Sequence, residues 1–383
     1  TGTENVAVTV DTGTLTRAEY LAIQDNYTTG VITAELEAST YAELTAKVTG
    51  STTVNKIQSG NKFAVKVTDA SLTAEKVLEL GAMTSGAIHL KPTGNMAITG
   101  TAAQLGQIYG NIVDAKTKDG FLDTNINATT VTISDAVISA SDFHTIADGT
   151  NGTKTATAVS RIVGLQSDIM GGYAKVGSFA NLGNEELTIT DAVIDASVFK
   201  TVIPDGAATP TTGNITLVGS TIQGDVADLK TIFTATSGLI AQHDNDHSNA
   251  QVIGSDAINM TVTDASVAVA DVKVLTNATT GKVTATIDNN DAGVSDTLSD
   301  LIASSGLNQA AETIDDDFSG HNITVKLKDA EVTASGLKTL ATLTSGTISL
   351  DTATTTGIQS PGLSGSIADV NAVYANSRIS GLG

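Results

Sequence analysis

The sequence predicts a repeat solenoid: parallel β-strands stacked along an axis, β-solenoid-like and mixed α/β, with about six repeats of ~64 residues. Three observations predict it. One phrase recurs along the chain at a near-fixed period: an alternating apolar strand, an Asp-Ala pair, a short helical pattern, a glycine and a second strand. Aromatic residues make up only 3% and Trp is absent, so the core must be built in thin aliphatic layers. Four prolines leave long runs free to pair their backbones, while 36 glycines supply turns.

The phrase is clearest from Val65 to Leu90. Its opening aspartates fall at Asp11, Asp69, Asp135, Asp191, Asp264 and Asp329, separated by 58, 66, 56, 73 and 65 residues. The closing glycines are Gly30, Gly86, Gly152, Gly213, Gly281 and Gly346. The first copy, Val10-Asp11-Thr12, is the loosest. One continuous solenoid then runs through 1–383, with repeats at about 1–60, 61–125, 126–186, 187–255, 256–320 and 321–383. Chain length alone would suggest two or three domains, but a stack grows in one dimension without splitting into globules.

Each element follows from its residues. Counting from the Asp, position +3 is Leu72, Ile138, Ile194, Val267 or Val332. Position +8 is Val77, Phe143, Phe199, Val272 or Leu337, and +11 is Leu80, Ile146, Val202, Leu275 or Leu340. The +8/+11 spacing puts one apolar face on a short helix. Thr73, Ser139, Asp195 and Thr333 at +4 suit an N-cap, with Ala268 the exception. A helix of two to three turns is marginal alone, so packing must hold it. The repeated Asp, placed just after a strand, is expected to bond its own backbone two residues on and fix the turn.

The second half of each copy carries a quieter helical echo. Examples are Thr101–Tyr109, Asp168–Tyr173, Asp225–Phe233, Asp296–Ile302 and Ser366–Tyr374, with Ala42-Glu43-Leu44 a weak match. An aromatic residue on the last turn reads as a core-edge side chain. The polar insertions gather between copies, at 114–123, 243–248, 288–291 and 312–317.

Net charge is −21. That opposes nucleic acid and anionic lipid, which need a basic face, and leaves carboxylates for divalent cations. Without cysteine there are neither disulfides nor thiolate metal sites. No apolar run reaches 18 residues, so no membrane insertion is expected. The chain opens on Thr1 and closes on Ile379-Ser380-Gly381-Leu382-Gly383. Inside the chain, Asn181-Leu182-Gly183-Asn184-Glu185 leads straight into a strand. Neither end reads as a polar cap, and the expected partner is self: head-to-tail contact with another protomer or with further repeats of a longer chain.

Met260–Ile287, Ile98–Tyr109, Ile379–Gly383 and the junction Gly183-Asn184-Glu185 carry a resemblance. Their wording resembles tandem repeats in giant cell-surface proteins of marine unicellular cyanobacteria, and related bacterial S-layer and adhesin repeat proteins. The resemblance covers most of the chain as degenerate copies; copies three and four depart furthest. It implies a secreted structural role, often calcium-dependent, and transfers no active site.

Candidate chemistry is confined to acidic loops. His243-Asp244-Asn245-Asp246-His247 has two His at i, i+4, but Asp and Asn favour a loop, so calcium suits it better than zinc. Asp288-Asn289-Asn290-Asp291 and Asp315-Asp316-Asp317 offer oxygen ligands at close spacing. Asp244, Asp246, Asp288, Asp291, Asp315 and Asp317 are therefore the candidate calcium ligands, and calcium is the only cofactor expected. None of these stretches matches an EF-hand loop. Seven Asn-x-Thr sequons, at Asn26, Asn127, Asn151, Asn214, Asn259, Asn277 and Asn322, are the number a Thr-rich chain throws up by chance. No catalytic arrangement, phosphate loop or nucleotide fingerprint is present. The sequence thus reads as a non-enzymatic extracellular protein that builds a filament or surface layer by end-to-end stacking. An adhesin stalk is the alternative. A glycan-active β-helix enzyme is the lesser one, since the aromatics that line sugar grooves are scarce.

Overall fold

The computed structural model describes residues 5–26, 30–46, 61–84, 86–90, 95–114, 128–175, 179–201, 211, 213–219, 221–234, 252–253, 258–288, 297–302, 318–327, 329, 331–350 and 362–382. The chain divides into two compact units, Thr1–Glu186 and Leu187–Gly383. Both are mixed α/β, with parallel sheets and short helices.

In the first unit the order is β1 (Val8–Leu15), α1 (Arg17–Asn26), β2 (Ile32–Leu36), α2 (Tyr41–Thr45), β3 (Lys62–Val67), β4 (Ser71–Thr73), α3 (Ala74–Met83), β5 (Ile88–Leu90), β6 (Ala97–Gly100) and α4 (Ala102–Asp114). It continues with β7 (Thr130–Ile133), β8 (Val137–Ser139), α5 (Ala140–Gly149), β9 (Lys154–Thr155), β10 (Arg161–Gly164), α6 (Gln166–Tyr173) and β11 (Phe179–Ala180). One parallel sheet has the order β1-β2-β3-β5, another β11-β9-β7-β6-β4, and β8 pairs with β10. Helix α5 packs against both α4 and α6.

The second unit takes in β12 (Glu186–Ile189), β13 (Val193–Asp195), α7 (Ala196–Phe199), β14 (Ile215–Leu217), β15 (Thr221–Gly224), α8 (Val226–Thr234), β16 (Val252–Ile253) and β17 (Asn259–Val262). Then come α9 (Val269–Thr276), β18 (Val283–Asp288), α10 (Leu298–Ile302), β19 (Asn322–Leu327), β20 (Glu331–Thr333), α11 (Ala334–Leu343), β21 (Ile348–Leu350), β22 (Gly362–Ser364), α12 (Ile367–Tyr374) and β23 (Ile379–Ser380). Its main sheet runs β13-β15-β17-β18-β19-β21-β23, and β12-β14-β16 and β20-β22 pair in separate sheets.

Sequence copies two, three, four and six share one element order: a strand before the Asp, a short strand after it, a helix, a strand after the Gly, another strand and a second helix. The register recurs as well. The residue four before the Asp pairs with the residue two after the Gly, giving Val65↔Ile88, Val131↔Lys154, Leu187↔Ile215, Met260↔Val283 and Val325↔Ile348. The second strand of one copy then pairs with the first strand of the next, as in Ile98↔Val131 and Ile222↔Met260. Strand alternation explains the burial: Phe63, Val65 and Val67 point inward while Lys62 and Lys66 do not. The side chains at +3, +8 and +11 are buried wherever they are described. Thr73, Ser139, Asp195 and Thr333 cap their helices as expected, and Ala268 gives no side-chain cap.

The first copy departs from the sequence alignment. Val8 pairs with Ile32, two after Gly30, so the Asp position falls on Thr12 and not on Asp11. The pairing shifts between Thr9 and Thr14, and Gly13 there has φ +85°. Glycine reaches that left-handed region without a Cβ penalty. Three extra residues on β1 bulge the strand and leave Asp11 to Thr14 exposed. A bulge with a charge is how an edge strand resists pairing with another chain.

Candidate functional site

At four copies the repeated Asp reaches the first N–H of the second helix of the preceding copy, and at Asp69, Asp135 and Asp264 this bond stands where one to its own turn was expected. Asp69 Oδ2 accepts from Tyr41 N at 2.6 Å, Asp135 from Ala102 N, Asp264 from Val226 N at 2.6 Å and Asp329 from Leu298 N at 3.3 Å. The partner lies 28, 33, 38 and 31 residues upstream. A helix leaves its first four N–H groups without intrahelical partners, and a carboxylate there also meets the positive end of the dipole. Three of these helices also carry local caps. Thr40 with Glu43 and Thr101 with Gln104 form reciprocal boxes, and Asp225 accepts from Asp228 N. Local and distant caps thus serve different donors on one helix, and the distant one clasps two copies together. Replacing Asp264 by Ala is expected to cost about 1–2 kcal/mol, with Asn recovering part of it. Urea unfolding of the variants measures this.

A second device recurs at the glycine. Two residues before it stands a threonine whose Oγ1 accepts from the glycine N–H: Thr84 to Gly86, Thr150 to Gly152, Thr211 to Gly213, Thr279 to Gly281 and Thr344 to Gly346, all at 2.9–3.0 Å. The same hydroxyl donates to a strand carbonyl, for instance Phe63 O at 2.8 Å, Thr129 O at 2.7 Å and Ile258 O at 2.6 Å. Each of these threonines is buried. The Thr-x-Gly pattern stands in the sequence in all six copies, Thr28 included. It was the missed signal, because threonine is too common in this chain to stand out.

Ion pairs step along the helices. Lys200 meets Asp228, Lys230 meets Asp271 at 2.7 Å and Lys338 meets Asp369 at 3.1 Å. In the first unit His144 lies between Asp148 (3.3 Å) and Asp168 (3.5 Å), and Lys175 reaches Asp148 at 2.9 Å. Asp228 is buried, whereas the other groups are partly exposed, so their pairs contribute little. The Ser366 hydroxyl, and after it Lys338, holds the Asp369 carboxyl below the usual carboxylate range. A depressed carboxyl stabilises the fold above its unfolded-state pKa and loses that effect as pH falls through its folded one. The aromatics expected at the core edge divide. Tyr109, Tyr173 and Phe233 are buried, and burial pushes the Tyr109 hydroxyl up to about 12. Tyr374 is exposed and donates to Leu382 O at 3.2 Å.

Of the six candidate calcium ligands, Asp244, Asp246, Asp291, Asp315 and Asp317 lie outside the described residues. Asp288 is the last residue of β18, not a loop residue. Its carboxylate faces Lys326 Nζ at 3.6 Å, and its backbone N–H donates to Ser266 Oγ at 3.0 Å. Among the described residues no group of three or more His, Asp or Glu converges as a metal site. Among them, too, no helix is long and apolar enough to cross a membrane. The chemistry on view is therefore junction chemistry: carboxylates and hydroxyls that satisfy backbone groups. No protein-family model matches this chain, and no curated protein matches it.

Proposed function

We propose that the chain is an extracellular, cell-surface structural protein whose six sequence copies stack as a solenoid and extend by end-to-end contact into a filament or surface layer. The observation that carries this reading is the Asp clasp, which ties a copy to the one before it at four places. A module joined to its neighbour by the same bonds each time can be added indefinitely. Its work is mechanical, through parallel strand hydrogen bonds and an aliphatic core, with no catalytic step. The partner is another copy or more of the same repeats, not nucleic acid. Calcium bound at the acidic stretches around Asp244, Asp291 and Asp315 would neutralise clustered charge and stiffen the array.

Electron microscopy of the purified chain tests the assembly. Regular fibres are the expected result; a dispersed, non-elongated particle overturns it. Chelation tests the calcium claim: removal of the ion is expected to lower the melting temperature, and an unchanged transition counts against it.

The bulge in β1, with Thr12 where the other copies carry Asp, favours a second reading. An edge strand of that kind suits an adhesin stalk, which would appear in the microscope as isolated rods.

A further inference from the structure

We infer that His321 makes one junction between sequence copies acid-sensitive, by holding a hydrogen bond that only a neutral imidazole can accept. The inference concerns a bond within the chain and stands whether or not the copies assemble end to end.

The bond is the one from Val283 N–H to His321 Nδ1, at 3.0 Å. Val283 opens β18 in copy five, and His321 immediately precedes β19 in copy six. The ring is buried, with its edge toward Phe318, centroids 6.3 Å apart. A backbone N–H can only donate, so Nδ1 must present its lone pair and the ring proton must sit on Nε2. Protonation of the imidazole places an N–H on Nδ1 as well. Two donors then face each other, and the Val283 N–H loses its acceptor in a buried setting.

Among the described residues the same slot exists once more, filled by a group that does not titrate. Eight residues before Asp69 stands Asn61, as His321 stands eight before Asp329. Asn61 Oδ1 accepts from Ile32 N at 2.8 Å, and Ile32 lies two after Gly30 as Val283 lies two after Gly281. The surrounding framework matches too: the buried threonine hydroxyl approaches the Asn61 carbonyl at 3.2 Å (Thr84) and the His321 carbonyl at 3.3 Å (Thr344). The slot thus requires an acceptor, and either a carboxamide or a neutral imidazole supplies it.

The charged groups on the described elements of this junction are of both signs. Lys282 adjoins Val283, Glu331 opens β20, Lys338 on α11 is paired with Asp369, and the Arg378 guanidinium donates to the Thr344 and Ala341 carbonyls. Further along β18 and β19, Asp288 is engaged by Lys326. In the unfolded chain histidine takes its proton at about 6.5. Below that pH the unfolded state takes up a proton freely, whereas in the fold the same proton would break the Val283 bond, so acid is expected to lower stability there.

The test uses the full chain. Nitrogen-15 NMR of the imidazoles at pH 8 reads the tautomer directly: we expect a protonated Nε2 and a bare Nδ1 for His321. Urea unfolding at pH 8 and pH 5 is then compared for wild type, His321→Asn and Asn61→His. Wild type is expected to lose roughly tenfold more of its folding equilibrium constant between the two pH values than His321→Asn does. Asn61→His, if it folds, transfers the same sensitivity to the first unit. A protonated Nδ1 at pH 8, or an identical pH response in wild type and His321→Asn, overturns the inference. Neither result depends on whether fibres form, so this proposal and the assembly reading fail separately.

Discussion

Gly346→Ala is expected to destabilise the second unit by about 3 kcal/mol or more. A Cβ at this position would stand 2.8 Å from Thr324 N and closer still to the Ile323 carbonyl. Real Cβ atoms do not approach that near, and the obstacle is strand backbone, not a side chain that can rotate away. Relief would require β19 and β21 to part, although Val325↔Ile348 pair two residues further on. Gly86 and Gly152 face the Phe63 and Thr129 carbonyls in the same way, so alanine there should unfold the first unit to a similar degree. Gly320, which has nothing within contact distance, is the control and should tolerate alanine. Urea midpoints of the four variants check this.

Thr344→Val keeps the shape of the side chain and deletes the hydroxyl. The hydroxyl accepts from Ile323 N and Gly346 N, each at 3.0 Å, and donates to Ile323 O at 2.8 Å. Thr344 is 1% exposed, so water cannot replace those bonds in place. Orphaned buried groups cost about 1–3 kcal/mol each, which puts the expected loss at about 2–4 kcal/mol. Thr344→Ser keeps the hydroxyl and should retain most of the stability. The comparison separates lost bonding from lost methyl packing, and thermal melts of both variants measure it.

Much of the local structure was legible because it follows from short-range periodicity. Apolar residues at +8 and +11 face the core because a helix repeats every 3.6 residues. Thr73 and Ser139 cap their helices because a hydroxyl there can reach N3. The Asp was legible as a recurring letter but its bond was not. Its acceptor role is completed by a helix start some thirty residues upstream, and only the pairing of strands between copies brings the two together. Asp11 misled for a related reason: it is the conspicuous residue, yet the Val8↔Ile32 pairing puts Thr12 at the Asp position, and register is set by backbone pairing. Asp288 looked like a loop ligand within an acidic run, but strand β18 extends far enough to place it opposite Lys326.

Excision of one whole period tests the central claim most directly. Removing Asp264–Lys328 joins Thr263 to Asp329, so β17 would lead into β20 and α11 as it now leads into α9. If the copies are interchangeable modules, the shortened chain folds cooperatively, with a urea m-value reduced by roughly one sixth. A half-period deletion in the same place, which leaves a strand without its partner, should fail to fold. Should the whole-period deletion also fail to fold, or fold no better than the half-period one, the modular account is contradicted.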